Sequence, residues 1–541
     1  MTDIRELGGI DAVSPDGDGS DPPIDRLVFG VAAAIAAAFV AAGAIWPVGF
    51  LEKTTEALTW VTNNFGWMFV LTSAGFVVFS AYLAISRYGN IKLGPDDSEP
   101  EFSTFSWVSM MFATGMGIGL MFWGVAEPLT HFNTPPLGEG EPRSPDSAES
   151  AMQYAFFHWG FHPWAMYAVI GLAIGYFAYR RGYGNLISAA FRPLLGRRAS
   201  EGPGKAIDVV AIFATLFGSA TSLGLGALQI TGGIDDVFGE GGGSKTLAVV
   251  VIAVLTACFV ISAVSGVEKG IKLLSNANAV AAGLLVFFLF VVGPTVFIMG
   301  TFTTTMGDYL THLPAMSFNT GVYDSAASSW LGGWTIFYWA WWISWTPFVG
   351  MFIARISKGR TIRQFVIYVI VVPSLVSFIW FSILGGAAID LQLNQGWDPP
   401  TTDGGGIALE GALFDMMREF PWGGFTVGVA VFLVAIFFVT GADAASIVMG
   451  MLSQRGTEEP KPWLVIFWGV ATGAVAAVLL WAGGLAALQT LVILVAAPFM
   501  LVLIGMCFSL LKALREETFE ATLPPRVRRA VEHAQRFPDG P

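Results

Sequence analysis

The sequence predicts an all-α polytopic membrane protein with twelve transmembrane helices, on three observations. Of its 541 residues, 54% are hydrophobic and only 13% charged, whereas a water-soluble domain carries roughly a quarter charged residues. Apolar runs of about 20 residues, the length that crosses a bilayer core, recur along the whole chain. These runs lack the alternation of a barrel strand. In hydrocarbon the backbone must satisfy its own hydrogen bonds, so they read as helices.

The elements follow in order. Residues 1–26 form an acidic, polar tail without a charged-then-apolar leader, so the first span is expected to persist in the mature protein. Spans are predicted at 27–48, 65–86, 103–130, 150–179, 207–230, 246–264, 278–300, 333–354, 364–388, 422–452, 462–483 and 486–511. The loops between them leave no room for a separate soluble domain, and residues 512–541 form a short tail. Cys258 and Cys507 fall inside spans and read as small packing residues.

Arginine and lysine distribution sets the expected orientation. Of the 28 basic residues, 16 fall in even-numbered loops, 4 in odd-numbered loops and 8 in the two tails. The even loops and both termini are therefore expected to be cytoplasmic. The net charge of −12 comes from acids in tails and loops, which argues against a nucleic-acid partner.

Function is expected where polar or irregular sequence enters the bilayer. The third span contains Thr114, then Gly115, Met116, Gly117, Ile118 and Gly119, and ends near Glu127 and Pro128. Alternating glycines weaken a helix. Such a run can unwind and free carbonyls for a cation, or it can let helices pack closely. The fourth span contains His158, Trp159, His162, Trp164 and Tyr167. At about 100° per residue, Trp159, Tyr167 and Trp164 fall on one side of a helix. His158 and His162 stand four apart without a third metal ligand, and read as satisfied buried histidines. The eighth span packs Trp339, Trp341, Trp342 and Trp345 into seven residues. There Tyr338, Trp342 and Trp345 share a face at i, i+4, i+7 spacing. One tryptophan would mark the membrane interface, but four flanked by apolar sequence suggest a lined site.

Clustered indoles suit one chemistry. A quaternary ammonium has no N–H to donate, so hydrogen bonding cannot select it. Aromatic faces attract it through their quadrupole, each contact contributing about 0.5–2 kcal/mol. A carboxylate in the site would repel the acid group of a zwitterion such as betaine, so Glu127 and Asp443 read as helix-orienting groups. No complete catalytic set is present, and an enzyme is not expected.

At these motifs the chain resembles the betaine/carnitine/choline transporter family, from about residue 25 to 510. The resemblance rests on Gly115-Met-Gly-Ile-Gly with Phe122-Trp-Gly and Ala126-Glu-Pro. It rests equally on His158-Trp with His162-Pro-Trp, and on Trp339-Ala-Trp-Trp-Ile-Ser-Trp continuing to Gly350-Met-Phe-Ile-Ala-Arg-Ile-Ser357. It implies a LeuT-type fold of two inverted five-helix repeats, spans 3–7 (about 103–300) and 8–12 (about 333–511), preceded by two extra helices. It also implies a plasma-membrane homotrimer importing glycine betaine with sodium, without a cofactor. By matching motifs, substrate would meet Trp159, Trp164, Tyr167 and Trp342, with Trp341 and Trp345 along the path and Met116 bordering. One sodium site would use Thr114, Met116, Phe437 and Thr440, and the other Thr215, Ser219 and Phe348. The chain departs from the family at Gly441, where the betaine carriers tend to have serine. Cation-independent exchange, or proton-coupled uptake of choline or carnitine, is the alternative.

Overall fold

The computed structural model describes residues 22–115, 117–138, 140–238, 244–265, 268–402, 404–523 and Val527. Met116, nearly all of the acidic N-terminal tail, and Arg526, Arg528 and Arg529 of the C-terminal tail lie outside the described residues. Those described are helical, with only two isolated bridge pairs of strand character. In order they form α1 (Arg26–Ile45), α2 (Pro47–Ile85), α3 (Thr104–Gly115), α4 (Ile118–Asn133), α5 (Pro145–Trp159) and α6 (Phe161–Gly175). A short α7 (Arg192–Leu195) precedes α8 (Gly202–Phe238), α9 (Lys245–Ser265), α10 (Glu268–Val292) and α11 (Thr295–Ser317). Then come α12 (Ser325–Leu331), α13 (Phe337–Ile356), α14 (Ile362–Asn394), α15 (Ala412–Arg418), α16 (Gly423–Ser453) and α17 (Pro462–Arg515).

Local chemistry explains where several of these helices begin. The Asp25 carboxylate caps α1, accepting from the Leu27 and Val28 N–H groups at 3.1 Å each. Pro47 opens α2, where its missing N–H costs nothing. Ser144 and Ser147 cap α5 reciprocally, and Thr361 and Gln364 do the same for α14.

Among the described residues, seven helical stretches are long and apolar enough to cross a bilayer singly, taking α5 and α6 together as Pro145–Arg180, or eight if the bent pair α10/α11 counts as one span. The other predicted spans differ for identifiable reasons. The third is split near Met116 into pieces of 12 and 16 residues. The eighth is α13, whose tryptophans and tyrosine lower its hydropathy. The seventh was expected to run to residue 300 but ends at Val292, because Gly293 and Pro294 turn the chain by 108° into α11. The predicted eleventh and twelfth spans lie within the 54 residues of α17. Gly484, with φ 64°, interrupts that helix between them, a conformation glycine adopts without Cβ strain.

Burial sorts the helices into an interior and a rim. The apolar window of Pro145–Arg180 is 89% buried, while that of α1 is 22% buried. Nearly every residue of α4, α6 and α13 is enclosed. Rim helices expose Ile45, Val296, Phe425 and Phe432, a surface suited to lipid and not to water. This is a multi-pass membrane protein. Cys258 is on an exposed face, contrary to the packing role expected from sequence, and Cys507 is half-buried.

Ion pairs hold the polar ends. Arg180 bridges Asp96 at 2.8 Å and Glu517 at 2.7 Å, Arg181 meets Glu516 at 2.7 Å, and Lys205 meets Asp25 at 2.8 Å. Elsewhere Arg143 pairs with Asp398 at 2.9 Å and Arg418 with Asp236 at 2.5 Å. Among the described residues, no ion pair joins an even loop or tail to an odd loop. Burial pushes the Glu517 carboxyl up, but the Arg180 guanidinium and Tyr176 hydroxyl outweigh it and hold the group below its usual range.

Candidate functional site

Two helix interruptions meet the tryptophan-rich helix in the interior. Gly117 is extended between α3 and α4, with φ −167° and ψ −124°. Gly160 is non-helical between α5 and α6, with φ −98° and ψ −129°. A Cβ at Gly160 would stand 2.5 Å from the Phe156 carbonyl oxygen and 2.9 Å from the Phe378 ring. One at Gly119 would stand 2.8 Å from Cη2 of Trp159 and 2.9 Å from Cη2 of Trp341. Only glycine lets the α4 backbone come this close to two indoles.

Among the described residues, a small chamber is lined by Gly117, Gly119, Trp159, Trp341, Trp342 and Trp345. The rings meet mostly edge to face. Trp159 and Trp342 are 5.0 Å apart at 89°, and Trp341 and Trp345 6.1 Å apart at 78°. Trp341 and Trp342 are nearly parallel at 5.9 Å. The centre of a water-sized sphere has ≈ 10 Å³ to move in, room for about one water.

Each chamber indole spends its N–H outside that space. Trp341 donates to Ser222 Oγ at 3.1 Å, Trp342 to the His158 carbonyl at 3.0 Å, and Trp345 to the Gly218 carbonyl at 3.1 Å. Trp159 donates to Glu127 Oε2 at 2.8 Å, and Tyr338 donates to the same oxygen at 2.5 Å. The other oxygen, Oε1, lies 2.6 Å from His158 Nδ1 and 3.5 Å from His131 Nε2. His158 Nε2 lies 2.9 Å from Thr335 Oγ1. A single carboxylate, fully buried, thus joins α4, α5 and α13.

Glu127, His131 and His158 bring one ligand atom each within 4.8 Å of one another, a spacing a metal ion could use. Hydrogen bonds occupy two of the three residues, while neither His131 nitrogen has a hydrogen-bond partner among the described residues. Both nitrogens of His158 and both oxygens of Glu127 already have partners, and all three residues are sealed from solvent. The sequence pair His158/His162 is separated: His162 Nε2 meets Ser317 Oγ at 3.1 Å, and its ring stacks on Trp339.

The expected site residues are brought together only in part. Trp159, Trp342, Trp341 and Trp345 line the chamber. Trp164 and Tyr167 do not; Tyr167 reaches the cluster through Trp342, ring to ring at 5.7 Å, and Trp164 through Tyr167 at 5.4 Å. The helical-wheel argument that grouped them with Trp159 fails because Gly160 breaks the helix between them. Tyr338 was expected to share the face of Trp342 and Trp345, but its hydroxyl turns to Glu127. Met116 and the side chain of Thr114 lie outside the described residues.

For the cation positions, Thr440 gives its hydroxyl to the Ile436 carbonyl at 3.0 Å, and a Cβ on Gly117 would touch the Phe437 ring at 3.6 Å. Gly441 faces open space. One turn apart on α8, Thr215 donates to the Ala211 carbonyl at 2.9 Å, while the buried Ser219 hydroxyl has no partner among the described residues. An orphaned hydroxyl beside a threonine oxygen suits a hard cation. Phe348 is buried on α13, its ring 5.0 Å from Trp345.

Sequence reasoning missed His131, Thr335, Ser222 and Phe381. Phe381 packs 5.1 Å from the Trp159 ring. The partners of Thr335, Ser222 and Phe381 are far away in the chain, so no local pattern marks them, whereas His131 stands one helical turn from Glu127 and i,i+4 spacing could have found it.

Comparison with known proteins adds an independent line. Residues 27–519 match the family model described as betaine/carnitine/choline family transporter. A protein of Bacillus subtilis named glycine betaine transporter OpuD is 45% identical over 494 residues, covering 91% of this chain and 95% of its own length. The glycine betaine transporter 1 of Vibrio parahaemolyticus is 41% identical, covering 91% and 94%. The betaine/ectoine transporter LcoP of Corynebacterium glutamicum is 40% identical, covering 98% and 85%.

Proposed function

The chain belongs to the betaine/carnitine/choline transporter family, and on that premise we propose that it imports glycine betaine together with sodium across the plasma membrane. The observation that carries the reading is the chamber of four indoles where two interrupted helices cross α13. Ring faces with their N–H groups committed elsewhere can greet a methylated cation that needs no hydrogen-bond acceptor. Glu127 is withdrawn behind Trp159, which leaves the acid group of a zwitterion unopposed. A choline carrier, whose cargo lacks that acid group, would be expected to keep a carboxylate within the chamber.

The chamber holds about one water, so cargo enters only when the rings part. We read it as the occluded stage of an alternating-access cycle in which spans 3–7 and 8–12 act as inverted repeats. Sodium would bind at Thr215, Ser219 and Phe348, and at Thr114, Met116, Phe437 and Thr440. The membrane potential supplies about 2.3 kcal/mol per charge per 100 mV, which drives accumulation without nucleotide. Both termini would face the cytoplasm, and three copies would assemble, each with its own pathway.

Reconstitution in liposomes tests this. Labelled betaine should accumulate with an inward sodium gradient and not with a proton gradient or with neither. Exchange that needs no cation gradient would replace the symport reading. Trp342→Leu should abolish uptake and the betaine-induced change in tryptophan fluorescence while the protein still assembles. Unaltered uptake in that variant would remove the chamber from the mechanism.

A further inference from the structure

The buried carboxylate of Glu127 touches no cargo in the transport reading so far, although it gathers His158, Trp159 and Tyr338 into one polar cluster in the interior. It does not line the chamber. Yet its Oε2 accepts the Trp159 N–H at 2.8 Å, and its Oε1 lies 2.6 Å from His158, whose carbonyl accepts the Trp342 N–H at 3.0 Å. One of the four chamber indoles is therefore held directly by this side chain, and a second by the backbone of the histidine it touches.

The Trp159 ring spans the gap between the two regions. Its N–H edge meets Glu127, and its far edge, at Cη2, comes up against Gly119 in the chamber wall. An ionised carboxylate is an acceptor only, with about four lone-pair directions. The Trp159 N–H and Tyr338 O–H are donors here, and His158 Nδ1 donates when Nε2 accepts from the Thr335 hydroxyl. The site is thus built for a carboxylate anion. A charge-assisted bond from an indole N–H to an anion polarises the ring, pushing electron density onto its faces. More negative faces hold a cation more strongly.

We infer that Glu127 is a positioning residue for the quaternary-ammonium site, which never meets the cargo but fixes Trp159 by its N–H and enriches the electron density of that ring. The arrangement solves a problem set by a zwitterion. Negative charge in direct contact would attract the ammonium and repel the cargo's own carboxylate. Delivered through one indole, it reaches the ammonium as a stronger π face and leaves the acid group untouched. Glu127 thereby contributes to selectivity for a charged trimethylammonium group over a neutral group of the same shape. This rests on the transport reading above.

The test compares glycine betaine with the carboxylate in which a tert-butyl group replaces trimethylammonium, a cargo of equal shape without the cationic charge. Each is measured as a competitor of labelled betaine binding to purified protein in nanodiscs. Glu127→Gln should weaken betaine roughly fivefold or more while moving the tert-butyl analogue less than about twofold. Ultraviolet resonance Raman spectra of the ligand-free protein should show one indole N–H moving to a weaker hydrogen bond. Tyr338→Phe removes the donor that competes for Oε2, so it should leave betaine binding equal or tighter. It also serves if Glu127→Gln does not assemble. Equal weakening of both cargoes in either variant would reduce Glu127 to a packing role and overturn the inference. So would unchanged betaine affinity or an unchanged Raman band in Glu127→Gln. Failure of the wild-type protein to bind betaine would instead strike the transport reading, and the Raman result would still report on the hydrogen bond.

Discussion

Gly119→Ala places one methyl group between two indoles of the chamber. The new Cβ would stand 2.8 Å from Trp159 and 2.9 Å from Trp341, where an ordinary carbon contact is about 3.5–4.0 Å. Each ring must retreat by roughly 0.7 Å to reach the near end of that range. Neither is free to do so. Trp159 is tied to Glu127 and Trp341 to Ser222, and both rings are almost wholly buried. Overpacking of this kind costs about 1–3 kcal/mol, equivalent to roughly 5–150-fold in affinity if borne by the cargo state. Gly75→Ala is the matched control, since nothing lies within 4 Å of its Cβ on α2. The assay is betaine-dependent tryptophan fluorescence on purified protein, with uptake in liposomes alongside. Gly119→Ala should shift the betaine Kd at least fivefold while Gly75→Ala matches wild type. A Gly119→Ala protein that binds within twofold of wild type would refute the claim that these two indoles and this glycine form the cargo chamber.

Three further outcomes are expected. Ser219→Ala should raise the sodium concentration for half-maximal uptake several-fold without changing betaine-free stability, since its hydroxyl has no protein partner to lose; flux measured against sodium decides it. Burial, then the neighbouring Asp236 charge, pushes the Asp415 carboxyl up to about 6. Because that is above the unfolded value, the folded state binds more protons, and stability should fall as pH rises from about 4 to 6. Asp415→Asn should flatten that slope and raise neutral-pH stability by about 1 kcal/mol, a figure already reduced for solvent screening, as read by thermal melts at several pH values. Arg180→Ala leaves Glu517 buried without its guanidinium, a loss of about 3 kcal/mol. The segment after α17 should then become open to limited proteolysis, whereas an unchanged digestion pattern would show that Tyr176 alone holds it.

What the sequence by itself determined was solvent, secondary structure and the chemical character of the site. Long apolar runs can only be helices in hydrocarbon, and Trp339, Trp341, Trp342 and Trp345, four within seven residues, marked an aromatic cluster by density alone. Gly115, Gly117 and Gly119 marked the interruption between α3 and α4, because repeated glycine weakens a helix wherever it stands. Family membership followed from the same motifs. Only the tertiary structure decided which rings enclose the chamber and what holds them. Helical periodicity grouped Trp164 and Tyr167 with Trp159, but Gly160 broke the helix, so the angular count did not carry across. Glu127 reaches Tyr338 across 211 positions of sequence, and Trp341 reaches Ser222 across 119. Periodicity is a property of one helix, whereas a buried hydrogen bond is a property of two helices whose approach depends on every side chain packed between them.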